Sequence, residues 1–476
     1  MMLNKDDLMK LEKEEIIALL LGIIEQMAAE IATLKAQINQ NSKNSSKPPS
    51  SDGYKKPQPK NLRQSSNKKA GAQHGHEGSG LKLINEPNRY ILHEPSDCAC
   101  CINKTNCTAQ KIISETRYEI DINIEISTIA HQTIVMHCPR KTATLSGRFP
   151  DHIKGRMQYG VNIEALAISL NTIGMVSLNR THEILNGVFG VPISTGTISA
   201  MVDGCALNVA PAVMEIKEAI KTEPLIHSDE TGVAADNKTA WAHVACTDKL
   251  TYIDIHENRG KKGMDAIGIL TSFMGTVLHD CWLPYFHYTV RHGLCVAHLL
   301  RELLGVYENT KQEWAQGLID TLLMMKRTKA DLISHGHDRA SDYYLSKYSR
   351  IIDALLADAL VHNPVPAREP GKRGRTKRGK TGALVDRLVS YKDMYMLFFT
   401  DFSVPFDNNQ AERDIRMFKV KLKVSGCFRT MKGAKDFAAI TSYIGTARKH
   451  GLSAFHAIKD ALLNKPFSLA SVMMTE

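Results

Sequence analysis

No uninterrupted apolar run in the 476-residue sequence approaches the roughly 20 residues a membrane-spanning helix needs, and no signal peptide opens it. A cytoplasmic protein with no membrane contact is therefore expected. Cysteine is sparse, ten residues in all. In a reducing compartment these read as thiols or metal ligands, not disulfides. Acidic residues are outnumbered, 50 Asp and Glu against 60 Lys and Arg, a net charge of +10. The surplus is unevenly spread, which favours a polyanionic partner more than its size alone would. Apolar residues, 43% of the total, suffice for real cores, and the length exceeds one core, so about three folded units are expected.

Near the N-terminus, Ile17, Ile24, Ile31 and Ile38 share one heptad position, with Leu20, Met27 and Leu34 three residues after the first three. Isoleucine at a with mainly leucine at d predicts a parallel two-stranded coiled coil and hence a homodimer or higher assembly; a helix packed on its own chain is the alternative. From Gln40 to Gly80 large apolar groups almost vanish. Lys43, Lys47, Lys55, Lys56, Lys60, Arg63, Lys68 and Lys69 face only Asp52 and Glu77. Such a segment cannot offset its conformational entropy by burial, so it reads as a disordered linker, either simply solvated or touching phosphates.

Cys98 and Cys101 form a C-x-x-C knuckle, the spacing that lets two thiolates share a tetrahedral Zn²⁺. A second such pair is missing, because Cys138 is followed by Pro139, Arg140 and Lys141. Cys138 with His137, or Cys107, would have to complete the site; free thiols are the alternative. Between them Tyr118, Ile120, Ile122, Ile124 and Ile126 alternate as in a strand. Residues 161–173 and 178–189 then read as helices, and Ser194 can cap a third over 195–207. Three short helices with a tight turn fit a helix-turn-helix whose last helix would bring Thr195, Thr197 and Ser199 to a DNA groove; a plain trihelical bundle is the alternative.

From Glu223 the pattern turns to strands. One leads into Asp229, two more cover 240–246 and 251–256, a helix follows near 264–273, and a strand over 275–279 precedes Asp280. Three strands, a helix and a strand are how a ribonuclease-H-like domain begins, with the two aspartates on neighbouring strands. Phosphodiester chemistry uses two divalent ions about 4 Å apart, and hard cations such as Mg²⁺ take carboxylate oxygens. A third acid is supplied by DNNQAERDIR, where Asp407 or Asn408 can cap a helix carrying Glu412. Arg413 and Arg416 stand beside it as phosphate contacts. Asp254 and Asp265 are the alternatives to Asp280. The 132 positions between Asp280 and Glu412 imply a helical insertion, in which REPGKRGRTKRGK carries Lys372, Arg373, Arg375, Lys377 and Arg378 for a DNA backbone or as a surface loop. Cys295 and His298 are two ligands short of a closed site and read as structural.

The run DNNQAERDIR with Lys423-Val424-Ser425-Gly426, HSDETG at 227–232, HGLCVAHLLREL at 292–303 and NSKNSSKPPSSDG at 41–53 resemble insertion-sequence-66 family transposases over nearly the whole chain. The resemblance implies a bacterial, nucleoid-associated enzyme that cleaves element ends and joins them to target DNA. Asp229, Asp280 and Glu412 would be its three catalytic carboxylates, holding two Mg²⁺ (or Mn²⁺) ions, and small accessory proteins of the same element are implied as partners. Tyr285 stands where the family has a tyrosine after the second aspartate. The expected architecture is multidomain: a coiled coil (1–39), a basic linker (40–80), a zinc-finger-like module (81–150) and a helical DNA-binding region (151–215). An α/β ribonuclease-H-like core (220–300 and 400–450) follows, with a helical insertion (301–399) and a C-terminal tail (451–476). A nuclease without strand transfer and an inactive or domesticated DNA-binding relative are the other readings.

Overall fold

The computed structural model describes residues 12–45 (42 excepted), 86–93, 112–138 (123 excepted), 143–366 (151 excepted) and 378–473. They fall into two compact units, residues 57–132 and the rest. In the first, the described residues carry no helix or strand. No strand stands among the described residues of 118–126: Ile120, Ile122 and Ile124 are exposed, without a ladder partner among the described residues. Cys98, Cys101 and most of the 40–80 linker lie outside the described residues.

The larger unit is a mixed sheet wrapped by helices. Helix α1 (Lys13–Ile38) forms where the heptad stands, and Ile17, Ile24, Ile31 and Ile38 are all exposed along it. Asn44 is buried, and its Nδ2–H donates to Glu308 Oε2 at 2.9 Å. A hairpin, β1 (Val135–Cys138) and β2 (Ala143–Ser146), follows.

Helices α2 (Val161–Thr172) and α3 (Leu178–Gly187) match their patterns, and Ser194 caps α4 by accepting from the Thr197 N–H at 3.0 Å. Helix α4 does not stop at 207 but runs from Thr195 to Thr222, because Val209, Val213, Ile216 and Ile220 extend its buried stripe. By length and composition α4 could cross a membrane. In this fold its stripe lies in a core shared with α2, with Ile226 and Val277 of the sheet, and with Ile440, Tyr443 and Ile458 near the C-terminus. The boundaries expected at 215 and 450 therefore fall inside one core.

The sheet is built from β3 (Leu225–Ala235), β4 (Lys238–Cys246), β5 (Thr251–His256), β6 (Thr276–His279) and β7 (Arg291–Leu294), in the order β5-β4-β3-β6-β7. The first three pair antiparallel; β6 and β7 join parallel. Helix α5 (Lys261–Ile267) connects β5 to β6 and ends at Gly268, whose φ of 69° is left-handed. Gly275 lets β6 start against β3, since a Cβ there would lie 2.6 Å from the Pro224 carbonyl. After β7 come five helices: α6 (Val296–Thr310), α7 (Glu313–Ser334), α8 (Asp342–His362), α9 (Gly379–Ser390) and α10 (Lys392–Thr400). These helices pack around Trp314, Tyr348, Phe398 and Phe399 in a core that also takes in Leu278 and Leu294 of the sheet. The chain then returns as α11 (Asn409–Ser425), which lays Ala411, Ile415 and Phe418 on Val233, Ala242 and Val244 of the sheet. Helices α12 (Met431–Lys449), α13 (Ala454–Leu462) and α14 (Leu469–Met473) complete the unit.

Candidate acidic site

Asp229 sits mid-strand in β3, not at its end as the sequence suggests, and Asp280 follows the last residue of β6. Leu225 pairs with Thr276 and His227 with Leu278 in parallel register, so continuing that register brings the two aspartates level. Past Asp280 the chain turns sharply at Cys281, φ 71°. The turn is held by the Trp282 N–H donating to Asp280 Oδ1 at 3.1 Å and the Cys281 N–H donating to His279 Nδ1 at 3.2 Å. The alternatives Asp254 and Asp265 are engaged elsewhere: Asp254 accepts from the Ile255 N–H at 2.7 Å and Asp265 from the Tyr288 hydroxyl at 2.7 Å.

Asp229, Asp280 and Glu230 each offer a carboxylate oxygen, all within 4.8 Å of one another. Glu230 was not singled out from the sequence, because neighbouring strand residues point to opposite faces. Its side chain has no solvent exposure. Oε1 accepts from Arg259 Nη2 at 2.7 Å and Nε at 3.0 Å, and Oε2 accepts from the Tyr285 hydroxyl at 2.9 Å. Burial, then the charges of Glu230 and Asp280, hold Asp229 well above the usual carboxylate range. Burial and the Asp280 charge push Glu230 up to about 7 against the pull of Arg259. Burial also raises Asp280. Crowded carboxylates that resist ionisation are stabilised by a cation. The donor set is all oxygen, with no thiolate or imidazole, and so fits Mg²⁺ or Mn²⁺.

Glu412 lies in the first turn of α11, and its charge acts on Asp229. Its Oε1 is 3.6 Å from His298 Nε2 and 3.9 Å from Arg301 Nη2. Asn408 occupies the N-cap position but makes no side-chain cap. Instead its Nδ2–H donates to the Ser228 carbonyl at 2.8 Å, and its Oδ1 accepts from His227 Nδ1 at 2.9 Å. The Asn408 backbone N–H donates to Cys295 Sγ at 3.2 Å. Cys295 and His298 thus stand at the start of α6 between the sheet and α11. Burial, then Arg301 and Arg387, depress His298 to about 3.

Of the cations expected at DNA, Arg413 and Arg416 are exposed on α11, Arg413 donating to Gln410 Oε1 at 2.6 Å. Arg378 is a correction: its side chain is 8% exposed, held by Asp386 and the Asn363 carbonyl, because it seats the start of α9. Lys372, Arg373, Arg375 and Lys377 lie outside the described residues. Thr195 and Thr197 begin α4, where the Thr197 hydroxyl meets Ser194 Oγ at 2.9 Å. His137 is exposed on β1, its Nδ1 3.3 Å from Thr144 Oγ1; Cys138 ends that strand.

The family model described as "Transposase IS66 family" matches residues 156–436, more than half of the chain and all of the acidic site. The chain belongs to the IS66 transposase family. The IS66 match begins just before α2 and ends within α12, so it takes in α2 to α4, the sheet and α11 but stops short of the core residues Ile440, Tyr443 and Ile458. A second model, for a family of unknown function (DUF6444), matches residues 4–82, including α1. No curated protein matches the chain.

Proposed function

We propose that this IS66 family member is a DNA transposase that cleaves the ends of its insertion sequence and joins them to target DNA. The observation that carries the reading is the meeting of Asp229 and Asp280 on adjacent parallel strands; Glu412 lies outside that cluster of acids, on a helix anchored at Ser228, and its charge reaches Asp229. The strand order β5-β4-β3-β6-β7, three antiparallel then two parallel, supports a ribonuclease-H-like core. Asp229, Asp280 and Glu412 would hold two divalent ions, Mg²⁺ or Mn²⁺. Bound there, such ions neutralise phosphate charge and make an attacking water or 3′ hydroxyl more acidic. In the assigned reaction water cleaves the phosphodiester at the element end, freeing a 3′ hydroxyl that then attacks target DNA. No side chain bonds covalently to DNA. The chain's own residues bind and orient: Arg413 and Arg416 face solvent where they can take phosphates, and Thr195 and Thr197 start the helix we assign to end recognition.

Two DNA ends must be handled together, and the exposed Ile17, Ile24 and Ile31 stripe of α1 supports pairing of two copies as a coiled coil. The central test is a cleavage and joining assay with Mg²⁺ on element-end DNA. Asp229→Ala, Asp280→Ala and Glu412→Ala should each lose at least about a hundredfold, since metal assistance contributes several kcal/mol. Normal rates in any one variant remove that residue from the site.

A further inference from the structure

We propose that Arg259 is a positioning residue of the acidic site, occupying one oxygen of Glu230 so that this carboxylate offers the other, Oε2, as a single-point ligand beside Asp229 and Asp280. The proposal rests on reading those acids as a divalent-cation site. Arg259 precedes α5, and its guanidinium lies over two indoles, 4.0 Å from the Trp282 ring centre and 4.9 Å from that of Trp241. A flat cation held on aromatic faces has a fixed plane. From that plane Nε and Nη2 both reach Glu230 Oε1, at 3.0 and 2.7 Å. A carboxylate oxygen has two lone pairs, and both on Oε1 are then taken. The Tyr285 hydroxyl takes one on Oε2, at 2.9 Å. One lone pair remains, on the oxygen not claimed by Arg259.

With no exposed surface on the Glu230 side chain, water does not compete for it. Trp282 also belongs to the turn that holds Asp280 through its own N–H, so one stack aligns Glu230 and supports the second aspartate. A lysine at 259 would keep the charge but lose the plane and the paired donors. Glu230 would then be free to rotate its remaining lone pair away from Asp229 and Asp280.

The test measures Mn²⁺ binding to the full chain by electron paramagnetic resonance of the free ion, which needs no turnover. Arg259→Lys and Glu230→Gln should each weaken Mn²⁺ binding about 10- to 100-fold, the usual cost of disturbing groups that orient a metal site. Asp229→Asn and Asp280→Asn should abolish measurable binding. Wild-type Mn²⁺ affinity in Arg259→Lys overturns the proposal while those aspartate losses leave the underlying site standing; wild-type affinity in Asp229→Asn and Asp280→Asn overturns the site itself. Because a lone buried charge can unfold a variant, Glu230→Gln with Arg259→Met removes the pair together. Recovery of wild-type affinity in that double variant would mark the pair as scaffolding only and overturn the proposal.

Discussion

Asn408 donates to the carbonyl of Ser228 at 2.8 Å, joining the start of α11 to β3 one residue before Asp229. Residues 180 positions apart are thereby in contact, and Glu412, one turn along the helix, comes within electrostatic reach of Asp229. The same amide accepts from His227, so its removal leaves two buried groups unpaired. Asn408→Ala should cost about 2 kcal/mol in urea unfolding. DNA cleavage should fall further than the folded fraction does, because the third acid loses its anchor. Cleavage that simply tracks the folded population would deny Asn408 a role in placing Glu412.

Asp414, two residues past Glu412, accepts from Lys449 at 2.6 Å and from the Thr251 hydroxyl at 2.9 Å, with little exposure on either ion. Lys449→Met leaves a buried carboxylate without its cation and should destabilise by about 3–5 kcal/mol. Adding Asp414→Leu should recover much of that loss. Denaturant titrations of the single and double variants decide it.

Arg378 and Arg413 separate structure from DNA contact. Arg378→Ala should lower stability by about 1–3 kcal/mol, since it removes the ion pair with Asp386 and the bond to the Asn363 carbonyl, yet leave the salt dependence of DNA binding unchanged. Arg413→Ala should do the reverse, reducing the slope of log K against log salt by about 1. Binding isotherms at several salt concentrations would reveal a reversal of these roles.

Gly305 makes room for the chain that leaves α1. A Cβ there would sit 2.1 Å from the Asn44 carbonyl oxygen. In an isolated helix Gly→Ala is favourable by about 1 kcal/mol, but here Gly305→Ala should expel Asn44, with Lys43 and Ser45, from α6. Faster amide exchange at those residues with an unchanged unfolding midpoint is the expected result. Unchanged exchange would mean that Asn44 does not depend on this gap.

His243 is buried on β4, and burial depresses it from 6.5 to about 4. A base held neutral in the fold contributes its stability in full above pH 6.5. That contribution is lost as pH falls from 6.5 to about 4, where the unfolded chain takes up the proton first. On the order of 3 kcal/mol is at stake over that window. His243→Gln should flatten the stability profile between those limits, and a variant as acid-sensitive as the wild type would acquit this histidine.

Much of the architecture was legible because it is local. Helices α2 and α3 follow their apolar spacing, β5 ends where its residues do, and Ser194 caps α4 as its position suggests. Elements failed where a partner was needed. The alternation at 118–126 has no ladder to join among the described residues, and α4 runs 15 residues past its expected end because distant side chains bury its second half. In the site, Asp280 could be marked from its place after a strand, whereas Glu230 could not, since strand alternation argues against it and its partners Arg259 and Tyr285 come from the loop before α5 and the segment after β6.

From the sequence alone came the residue types and their order: the acids, the basic excess and the helical and strand periods, each set by interactions within a few positions. The tertiary structure decided which groups share a space. It placed Glu230 beside Asp229 and Asp280, turned Arg378 inward, and made Asn408 a strut instead of a cap. Electrostatics and desolvation act through distance and burial, and neither is written in spacing along the chain.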